Sequence, residues 1–463
     1  MESQIFNVPR IMIAAPKSGS GKTILTCALL QFLKNHGKNP VAFKCGPDFI
    51  DPMFHEQVLG IHSTNLDSFF CCEGLLKEIF WKNIADCSGA GCAVIEGVMG
   101  LFDGLGGTSI SASSYEIARF TQTPILLVID ASGMSRSIVP LVKGFLDYDK
   151  KLSGGAGLIK GIFLNKVSKP TFELLKRLIE EEAEVPVLGY YSKDLENVLK
   201  SRHLGLVLPH EIQNLKESVQ ESAEILEDSL DFERLEEIMR CRPLEMSENR
   251  SESKNLAERS VVIAVAKDEA FCFYYHENLR LLEKSGARLE YFSPLHDACV
   301  PDDADGILLG GGYPELYAEK LESNKAMRKS IKSAVQNGVP VMAECGGFMY
   351  LQDKLIAQDG NEYKMCGAIE GECRYTGKLV RFGYADFALD DRFLVKGHEF
   401  HYFDSTNNGA AFKAKKPVSQ KSWDCMIFTK NMLAGFPHLY YPSEPKITDW
   451  FIESCKNARN EAR

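Results

Sequence analysis

The chain has 463 residues, which exceeds what one hydrophobic core usually supports and favours two domains. Hydrophobic residues make up 45% and charged residues 25%, the balance of a globular protein. No apolar run reaches the roughly 18 residues of a membrane-spanning helix, so no membrane partner is expected. The net charge of −10 offers no basic face, so we expect no nucleic acid partner.

The cysteines and the N-terminus indicate a cytoplasmic protein. Fourteen cysteines are scattered through the chain, and no C-x-x-C pair with zinc spacing occurs. Reduced thiols are the expected state, as in cytoplasmic proteins. The start MESQIFNVPR lacks the basic segment and apolar core of an export signal.

Strand-like and helix-like segments alternate in the first half of the chain. Short apolar runs predict strands at 11–15, 41–44, 93–96, 125–129 and 161–165. Helical spacing predicts helices at 23–36, 115–120 and 171–182. This alternation is typical of a parallel sheet covered on both faces, and it predicts a doubly wound α/β domain.

A polar segment, 211–258, separates the two halves. It contains one predicted helix, 232–239, and then SENRSESKN, which is typical of an exposed linker. The second half again alternates, with predicted strands at 261–266, 306–309 and 340–343 and helices at 274–284 and 327–337. After Gly367 the composition favours antiparallel strands. We therefore predict domains at 1–240 and 259–463, joined by a linker at 241–258.

The motif PKSGSGKT, residues 16–23, lies between the first predicted strand and helix. In such loops, backbone N–H groups and the helix N-terminus face phosphates, the lysine contacts the outer phosphates, and the threonine hydroxyl ligates Mg²⁺. Pro16 stands where the standard motif has glycine, so this loop is a variant. Asn165 stands where related folds contact the base. The predicted ATP-binding residues are Ser18, Gly19, Ser20, Gly21, Lys22 and Thr23.

Carboxylates follow the next two predicted strands. FKCGPDFIDP contains Lys44, Asp48 and Asp51, and EGVMGLFDG contains Glu96 and Asp103. Ligands of open parallel sheets bind beyond the carboxyl ends of the strands, so these groups are expected near the phosphates. We predict that Thr23, Asp48 and Glu96 hold Mg²⁺, and that Lys44, Asp51 and Asp103 contact substrate or support the site. Turn and capping roles are the alternative for the three aspartates.

A second motif, AECGG, places Cys345 after a predicted strand, 339–344, and before a predicted helix, 348–355. A cysteine on such a turn can act as a nucleophile, and the helix N-terminus is expected to lower its thiol pKa. Gly311 and Gly312 leave an earlier strand, and their N–H groups can stabilise an oxyanion. His438, in GFPHLY, is the predicted acid and base.

GHEFHY contains His398 and His401. Two histidines three residues apart, with a glutamate between them, can bind a metal. The segment is predicted to be extended, however, and His398 and Glu399 would then point to opposite faces. A structural hydrogen-bonding role or contact with an acidic substrate are the alternatives.

Seven motifs occur together in one order: FKCGPDFIDP, NLDSFF, EGVMGLFDG, RHLGLVLP, LGGGYPE, ECGGFMYL and GHEFHY. With them the chain resembles the cobyrinate a,c-diamide synthases, glutamine-dependent amidases of cobalamin synthesis, over essentially its whole length. The resemblance implies an N-terminal ATP-binding domain similar to dethiobiotin synthetase. It also implies a C-terminal class I glutamine amidotransferase-like domain, with Cys345 as nucleophile and His438 as its histidine.

The resemblance further implies a reaction. ATP and Mg²⁺ would activate the a and c carboxylates of cobyrinate or a related tetrapyrrole as acyl phosphates, and glutamine or ammonia would supply the nitrogen. Nothing in the sequence decides whether the chain forms a homodimer. Typical class I enzymes carry a glutamate two residues after the histidine, where this chain has Tyr440. A Cys–His dyad is therefore expected, with the imidazole oriented by another group.

Three alternatives remain open. Nickel sirohydrochlorin a,c-diamide synthase shares these motifs and differs in the macrocycle. Cobyrate synthase fits less well, because EGVMGLFDG and GHEFHY favour a,c-diamidation. A ParA/MinD-like regulatory ATPase with an inactive amidotransferase domain is compatible with the variant phosphate loop, but an intact Cys345 and His438 argue against it.

Overall fold

The computed structural model describes residues 4–192, 212–241, 243–246 and 261–462. The chain forms two compact units, 1–249 and 250–463. Leu244–Met246, inside the predicted linker, forms a strand that pairs with Gln4–Phe6. Residues 247–258 and the RHLGLVLP motif at 202–209 lie outside the described residues. None of the helices described is both long and apolar enough to cross a lipid bilayer.

The first unit alternates strands and helices up to residue 190. Its strands are β1 Gln4–Phe6, β2 Arg10–Ala14, β3 Pro40–Cys45, β4 Ser63–Leu66, β5 Cys92–Glu96, β6 Ile125–Asp130, β7 Ile159–Asn165, β8 Val187–Tyr190 and β9 Leu244–Met246. Its helices are α1 Lys22–Asn35, α2 Ile50–Phe54, α3 Glu73–Asp86, α4 Ser114–Thr121, α5 Ile138–Ser153, α6 Lys169–Ala183, α7 Ile212–Ser229 and α8 Phe232–Met239. A π-helical turn, His55–Leu59, continues α2, and a 3-10 turn spans Leu105–Gly107.

Seven of these strands form one parallel sheet in the order β4-β3-β5-β2-β6-β7-β8. β2 lies inside this sheet, and every one of its residues is buried. The strand order reverses direction at β2, which confirms the predicted doubly wound fold. Because β2, β3 and β5 are adjacent and parallel, the segments that follow them emerge at one edge.

Helix α7 was not predicted from the sequence. It falls within the segment interpreted as polar, yet Val219, Ala223 and Leu226 are fully buried and belong to the same core as α1. Their spacing of four and three residues places them on one helix face. Leu215 and Ile225 pack against the same core, and the remaining positions are mostly glutamates, serines and glutamines, so the average composition does not reveal this narrow apolar stripe.

Among the described residues, the second unit contains more strands than the first. They are β10 Val261–Ala266, β11 Phe271–Phe273, β12 Ala287–Phe292, β13 Gly306–Leu309, β14 Gly311–Gly312, β15 Val341–Glu344, β16 Lys354–Ile356, β17 Glu362–Lys364, β18 Glu372–Leu389, β19 Phe393–Ser405, β20 Phe412–Lys415, β21 Ser422–Cys425, β22 Ile427–Phe428, β23 Met432–Gly435 and β24 His438–Leu439. The helices are α9 His276–Lys284, α10 Ala318–Ser323, α11 Lys325–Gln336, α12 Gly346–Leu351 and α13 Lys446–Ala462, and 3-10 turns span Pro314–Tyr317 and Tyr441–Ser443.

Two main sheets build this unit. One has the order β12-β10-β13-β15-β23-β22 and is parallel except for β22. The other runs β17-β16-β18-β19-β24, with β20 and β21 attached through β18, and only β16–β18 is parallel. The predicted antiparallel region after Gly367 is therefore confirmed for the second sheet, while β23 returns to the parallel one.

The helix predicted at 348–355 is wrong beyond Leu351. Gln352 adopts an extended backbone, with φ −74° and ψ 179°, and β16 begins at Lys354. Leu355 nevertheless packs in the same core as the α12 side chains. Apolar spacing alone could not separate a short helix followed by a buried strand from one longer helix.

Candidate active sites

The phosphate loop leaves β2 and enters α1 through Gly21, which has a left-handed backbone with φ 93°. α1 has neither a side-chain N-cap hydrogen bond nor an acidic residue in its first turn. The N–H groups at a helix start have no partner within the helix, and here no carboxylate of the first turn competes for them. The loop geometry therefore suits an anion.

Asn165, at the end of β7, stabilises this loop. Its Nδ2 donates a hydrogen bond to the Ser20 carbonyl at 2.9 Å, and a Cβ atom on Gly21 would overlap that nitrogen. The Ser20 hydroxyl donates to the Lys17 carbonyl at 3.1 Å, while Ser18 and Gly19 are exposed. The sequence suggested Asn165 only as a base contact, whereas the structure shows that it holds the loop backbone.

The Lys22 ammonium is buried within the loop. It donates to the carbonyls of Met99 at 2.6 Å and Lys17 at 3.2 Å. Burial, followed by the nearby charge of Lys44, lowers the pKa of Lys22 to about 8. Charged phosphate oxygens are stronger hydrogen-bond acceptors than these carbonyls. When a phosphate binds, the ammonium can therefore replace its carbonyl contacts with contacts to the phosphate.

Thr23, Lys44, Asp51 and Glu96 form one connected cluster. The Thr23 hydroxyl donates to Glu96 Oε1 at 2.5 Å, and Lys44 Nζ contacts the same oxygen at 2.8 Å. Lys44 also forms an ion pair with Asp51. Burial alone would lower the pKa of Lys44, but the carboxylates of Glu96 and Asp51 raise it well above its ordinary value. The lysine therefore stays charged and holds both carboxylates in place.

His55 belongs to this cluster, although no sequence motif points to it. Its Nδ1 lies 3.0 Å from Ser63 Oγ, and its Nε2 lies 3.6 Å from Glu96 Oε2. Burial lowers the pKa of His55 to about 4, so the ring is neutral at neutral pH. It sits one residue after α2, in the π-helical turn, and no spacing rule distinguishes it from a core histidine.

Asp48 and Asp103 make the turn contacts considered as the alternative. Asp48 Oδ1 accepts hydrogen bonds from the N–H groups of Ile50 at 2.8 Å and Asp51 at 3.1 Å. Asp103 Oδ2 accepts from the Gly100 N–H at 2.9 Å. Among the described contacts, neither carboxylate bonds to Thr23 or Glu96. A metal-ligating role for Asp48 stays a prediction.

The donor atoms fit a magnesium ion. Thr23 and Glu96 offer a hydroxyl and carboxylate oxygens, the hard ligands that Mg²⁺ prefers. Glu96 is fully buried, and its Oε2 has no hydrogen-bond partner within the described parts of the chain. No group of three or more His, Cys, Asp and Glu side chains suited to a metal occurs among the described residues. A site with few protein ligands is usual for Mg²⁺ that is shared with nucleotide phosphates.

In the second unit, Cys345 occupies a sharp turn between β15 and α12. Its backbone angles are φ 46° and ψ −102°, which are rare for a residue other than glycine. Its N–H donates to the Gly435 carbonyl at 2.8 Å, and its own carbonyl accepts from Met349 at 2.9 Å. Strained conformations of this kind concentrate at functional sites, and this one resembles a nucleophile elbow.

The backbone of the Gly310–Gly312 turn lies close to the backbone of the elbow. A Cβ atom on Gly346 would lie 3.2 Å from the Gly312 nitrogen, and one on Gly347 would overlap the Leu309 carbonyl. Gly312 itself has φ 152°, and a Cβ atom there would overlap the Ala270 carbonyl. The Gly312 amide therefore lies beside the residue that follows Cys345. This placement supports the predicted oxyanion role of Gly311 and Gly312, which stays a prediction.

His438 begins β24, where it pairs with His398 of β19. The two rings stack with centroids 5.0 Å apart, and Tyr275 Oη lies 3.0 Å from His398 Nδ1. A Cβ atom on Gly311 would overlap Cε1 of His438. The structure therefore brings His438, the Gly311–Gly312 turn and the Cys345 elbow together.

We predict that Gly311→Ala reduces glutamine-dependent activity by at least about 100-fold, because the added methyl group displaces the His438 ring. Gly144→Ala makes the same chemical change within α5, where nothing lies near the added methyl. It should leave the rate unchanged. Initial rates of glutamate release measure both effects, and a Gly311→Ala rate close to wild type would contradict the close approach.

The predicted lowering of the Cys345 pKa is wrong for this state of the site. Burial, and then the charges of Glu315 and Glu399, raise the pKa of the thiol, which outweighs the short helix α12. Burial, with His398 and His401 nearby, lowers the pKa of His438 well below its ordinary value. The resting pair is therefore a neutral thiol and a neutral imidazole. The imidazole can accept the thiol proton during the reaction.

Alkylation should report this raised pKa. Only the thiolate reacts, so without glutamine the alkylation rate of Cys345 should rise by about tenfold per pH unit from pH 7 to 9, without a plateau. The exposed Cys299 provides the reference within the same chain. Peptide mass spectrometry after timed iodoacetamide treatment measures both rates. A Cys345 rate that is already at its plateau at pH 7 would contradict the raised pKa.

His401 and Glu399 lie on the strand face opposite His398, as an extended segment predicts. His401 Nε2 lies 2.8 Å from Glu399 Oε2, which also accepts from Arg381 Nε at 3.2 Å. Trp423 Nε1 donates to the other Glu399 oxygen at 3.0 Å. These contacts support the structural hydrogen-bonding alternative for His401, while His398 supports His438 from the other face.

Comparison with known proteins finds a match for each half of the chain. Residues 11–204 match the CobQ/CobB/MinD/ParA nucleotide binding domain, and residues 262–445 match the CobB/CobQ-like glutamine amidotransferase domain. The cobyrinate a,c-diamide synthase of Caldanaerobacter subterraneus subsp. tengcongensis is 39% identical, over 96% of this chain and 98% of that protein. The chain belongs to the cobyrinate a,c-diamide synthase family. The resemblance predicted from the seven motifs is thus confirmed.

Other members of the family show the same extent of similarity. The cobyrinate a,c-diamide synthase of Priestia megaterium is 36% identical, over 98% of each chain. That of Listeria innocua is 39% identical, over 95% of this chain and 97% of the relative. A crystal structure of a glutamine amidotransferase matches 42% of this chain and all of its own with 13% identity and a TM-score of 0.32, too distant to bear on function.

Proposed function

We propose that this family member amidates the a and c side-chain carboxylates of cobyrinate, with ATP as the energy source and glutamine or ammonia as the nitrogen donor. The observation that supports the proposal is that one chain carries two separate clusters of groups suited to these two half-reactions. One surrounds Lys22 and Thr23 and suits a nucleotide triphosphate. The other surrounds Cys345 and His438 and suits an amide. The relatives' names supply the substrate.

The first site would activate the carboxylate. A carboxylate oxygen is a poor leaving group, so transfer of the γ-phosphoryl group to it, with release of ADP, makes an acyl phosphate that an amine can attack. Lys22 would bind the transferred phosphoryl group, and Thr23 and Glu96 would hold Mg²⁺. Bound there, Mg²⁺ supplies positive charge that offsets the charge of the phosphates. Lys44 and Asp51 keep Glu96 in position.

The second site would release ammonia from glutamine. His438 takes the proton from Cys345, and the thiolate attacks the amide carbon. Gly311 and Gly312 N–H groups would stabilise the oxyanion of the tetrahedral intermediate. His438 returns the proton to the departing nitrogen, which leaves as ammonia. Water then hydrolyses the thioester to glutamate, and ammonia attacks the acyl phosphate with release of phosphate.

Product analysis tests this proposal. The enzyme is incubated with ATP, Mg²⁺ and glutamine, and with either cobyrinate or nickel sirohydrochlorin in parallel reactions. Two successive products from cobyrinate, each 1 Da lighter than its precursor as –OH becomes –NH₂, are expected by mass spectrometry. One ADP and one glutamate should form per amide. If only nickel sirohydrochlorin is amidated, it is the substrate in place of cobyrinate. If no amide forms on either macrocycle, the proposal is rejected.

A further inference from the structure

The position that usually carries the acidic partner of this histidine holds a tyrosine. Tyr440 occupies the position two residues after His438, is buried, and packs its ring against Tyr275 with centroids 5.4 Å apart. It offers a phenol in place of a carboxylate. An imidazole that moves protons needs a group that fixes its tautomer and balances its charge.

A carboxylate reaches His438 from a different strand. Glu344 ends β15 immediately before Cys345, and its Oε2 lies 3.9 Å from His438 Nδ1. Its other oxygen accepts a hydrogen bond from Tyr441 Oη at 3.0 Å and from the Leu439 N–H at 3.4 Å. The nucleophile and this carboxylate are thus consecutive residues. The elbow therefore carries both the predicted nucleophile and a carboxylate that approaches the predicted histidine.

The segment that carries His438 is itself anchored. Asn278 Nδ2 donates to the Leu439 carbonyl at 2.8 Å, and Asn278 Oδ1 accepts from the Tyr441 N–H at 2.9 Å. Asn278 is buried in α9, so it can move little. The backbone that follows His438 is therefore held by Asn278, and Glu344 is held by its hydrogen bonds to Leu439 and Tyr441. Apo distances between catalytic partners are often long and shorten when substrate binds.

Glu344 and His438 are both buried, and they carry opposite charges when they ionise. Burial raises the pKa of Glu344 to about 8 and lowers the pKa of His438, so either charge alone is costly there. A carboxylate next to an imidazolium compensates both costs. The imidazolium forms when His438 takes the thiol proton, which is the step that needs the carboxylate.

We propose that Glu344 is the positioning residue of the glutaminase site, which accepts the His438 Nδ1–H and balances the imidazolium in place of the missing acidic residue. The inference rests on the proposed glutaminase half-reaction. It does not depend on which macrocycle is amidated. Glu344 orients His438 without touching the substrate.

Glu344→Gln tests this role, since it preserves the shape of the side chain but removes the charge and replaces one acceptor oxygen with an NH₂ donor. We expect kcat for glutamate release to fall by at least about 100-fold while KM for glutamine stays within about twofold. The ammonium-driven amidation should keep its wild-type rate. Glu344→Asp should recover part of the lost kcat, because it restores the carboxylate. The exposed Glu370→Gln is the matched control and should not alter any rate.

The other outcomes overturn the inference. A wild-type kcat for Glu344→Gln would show that the carboxylate is not needed. A loss expressed mainly in KM, or an equal loss with ammonium, would assign Glu344 a binding or purely structural role. Glutamate release is followed apart from amidation. Failure of the wild type to amidate a tetrapyrrole would therefore reject the proposed function and leave this test intact.

Discussion

Cys345→Ala is expected to lose glutamine-dependent amidation by at least about 10⁴-fold and to keep the ammonium-driven reaction at its wild-type rate. The thiolate is the only group at the elbow that can attack the glutamine amide, and no thioester forms without it. In the proposed mechanism, free ammonia bypasses this step because it attacks the acyl phosphate directly. Raising the pH in the ammonium assay increases the unprotonated fraction and should increase the rate.

The measurement is ADP and amide formation with glutamine or with ammonium chloride, at saturating ATP. Cys299→Ala, an exposed cysteine of the same unit, is the control and should behave as wild type with both donors. Cys345 is buried and its backbone is strained, so circular dichroism and thermal unfolding should accompany the assay. A folded Cys345→Ala protein that loses the ammonium reaction would contradict independent half-reactions.

Much of the phosphate site could be predicted because each of its short segments directly follows a predicted strand. Adjacent parallel strands end at a common edge of the sheet. This one rule places the loop and its helix close to the carboxylates that follow β3 and β5. The side-chain network could not be predicted in the same way. Whether Asp48 points to a metal or to its own turn depends on torsion angles, and here it accepts from Ile50 and Asp51.

The residues missed by sequence reasoning lack a local signal. His55 and Glu96 belong to different segments of the first unit, and the residues next to His55 in the sequence do not predict that the two side chains meet. Glu344 was read as part of the AECGG motif, as the end of a strand. Its role depends on β24, almost a hundred positions away, which brings His438 beside it. Long-range pairings of this kind require the fold.

The thiol pKa illustrates a second limit. The sequence correctly placed Cys345 at a helix start, and a helix dipole lowers a thiol pKa. α12 has only six residues, however, and the thiol is buried beside Glu315 and Glu399. Desolvation and like charge oppose the dipole and are larger. Burial is a property of the packed domain, and one short motif does not predict its extent.

Lys22→Ala is expected to abolish both the glutamine-driven and the ammonium-driven reactions, by at least about 10³-fold. In the proposed mechanism both nitrogen sources require the acyl phosphate, and the Lys22 ammonium is a buried cation of the phosphate loop. Lys22→Arg keeps the charge but carries a larger planar group, so it should recover little in the confined loop. Amide formation with each nitrogen donor measures the loss, and direct nucleotide binding by calorimetry separates binding from transfer.

The matched control is Lys143→Ala, which removes an exposed lysine from α5 and should leave both reactions unchanged. Alkylation of Cys345 by a glutamine-like electrophile should be the same in Lys22→Ala as in wild type, because the second unit has its own core around the elbow. If Lys22→Ala retained the ammonium reaction, the phosphoryl charge would have to be balanced elsewhere. Lys44 is the other lysine of the cluster, but its charge is already balanced by its ion pairs with Asp51 and Glu96.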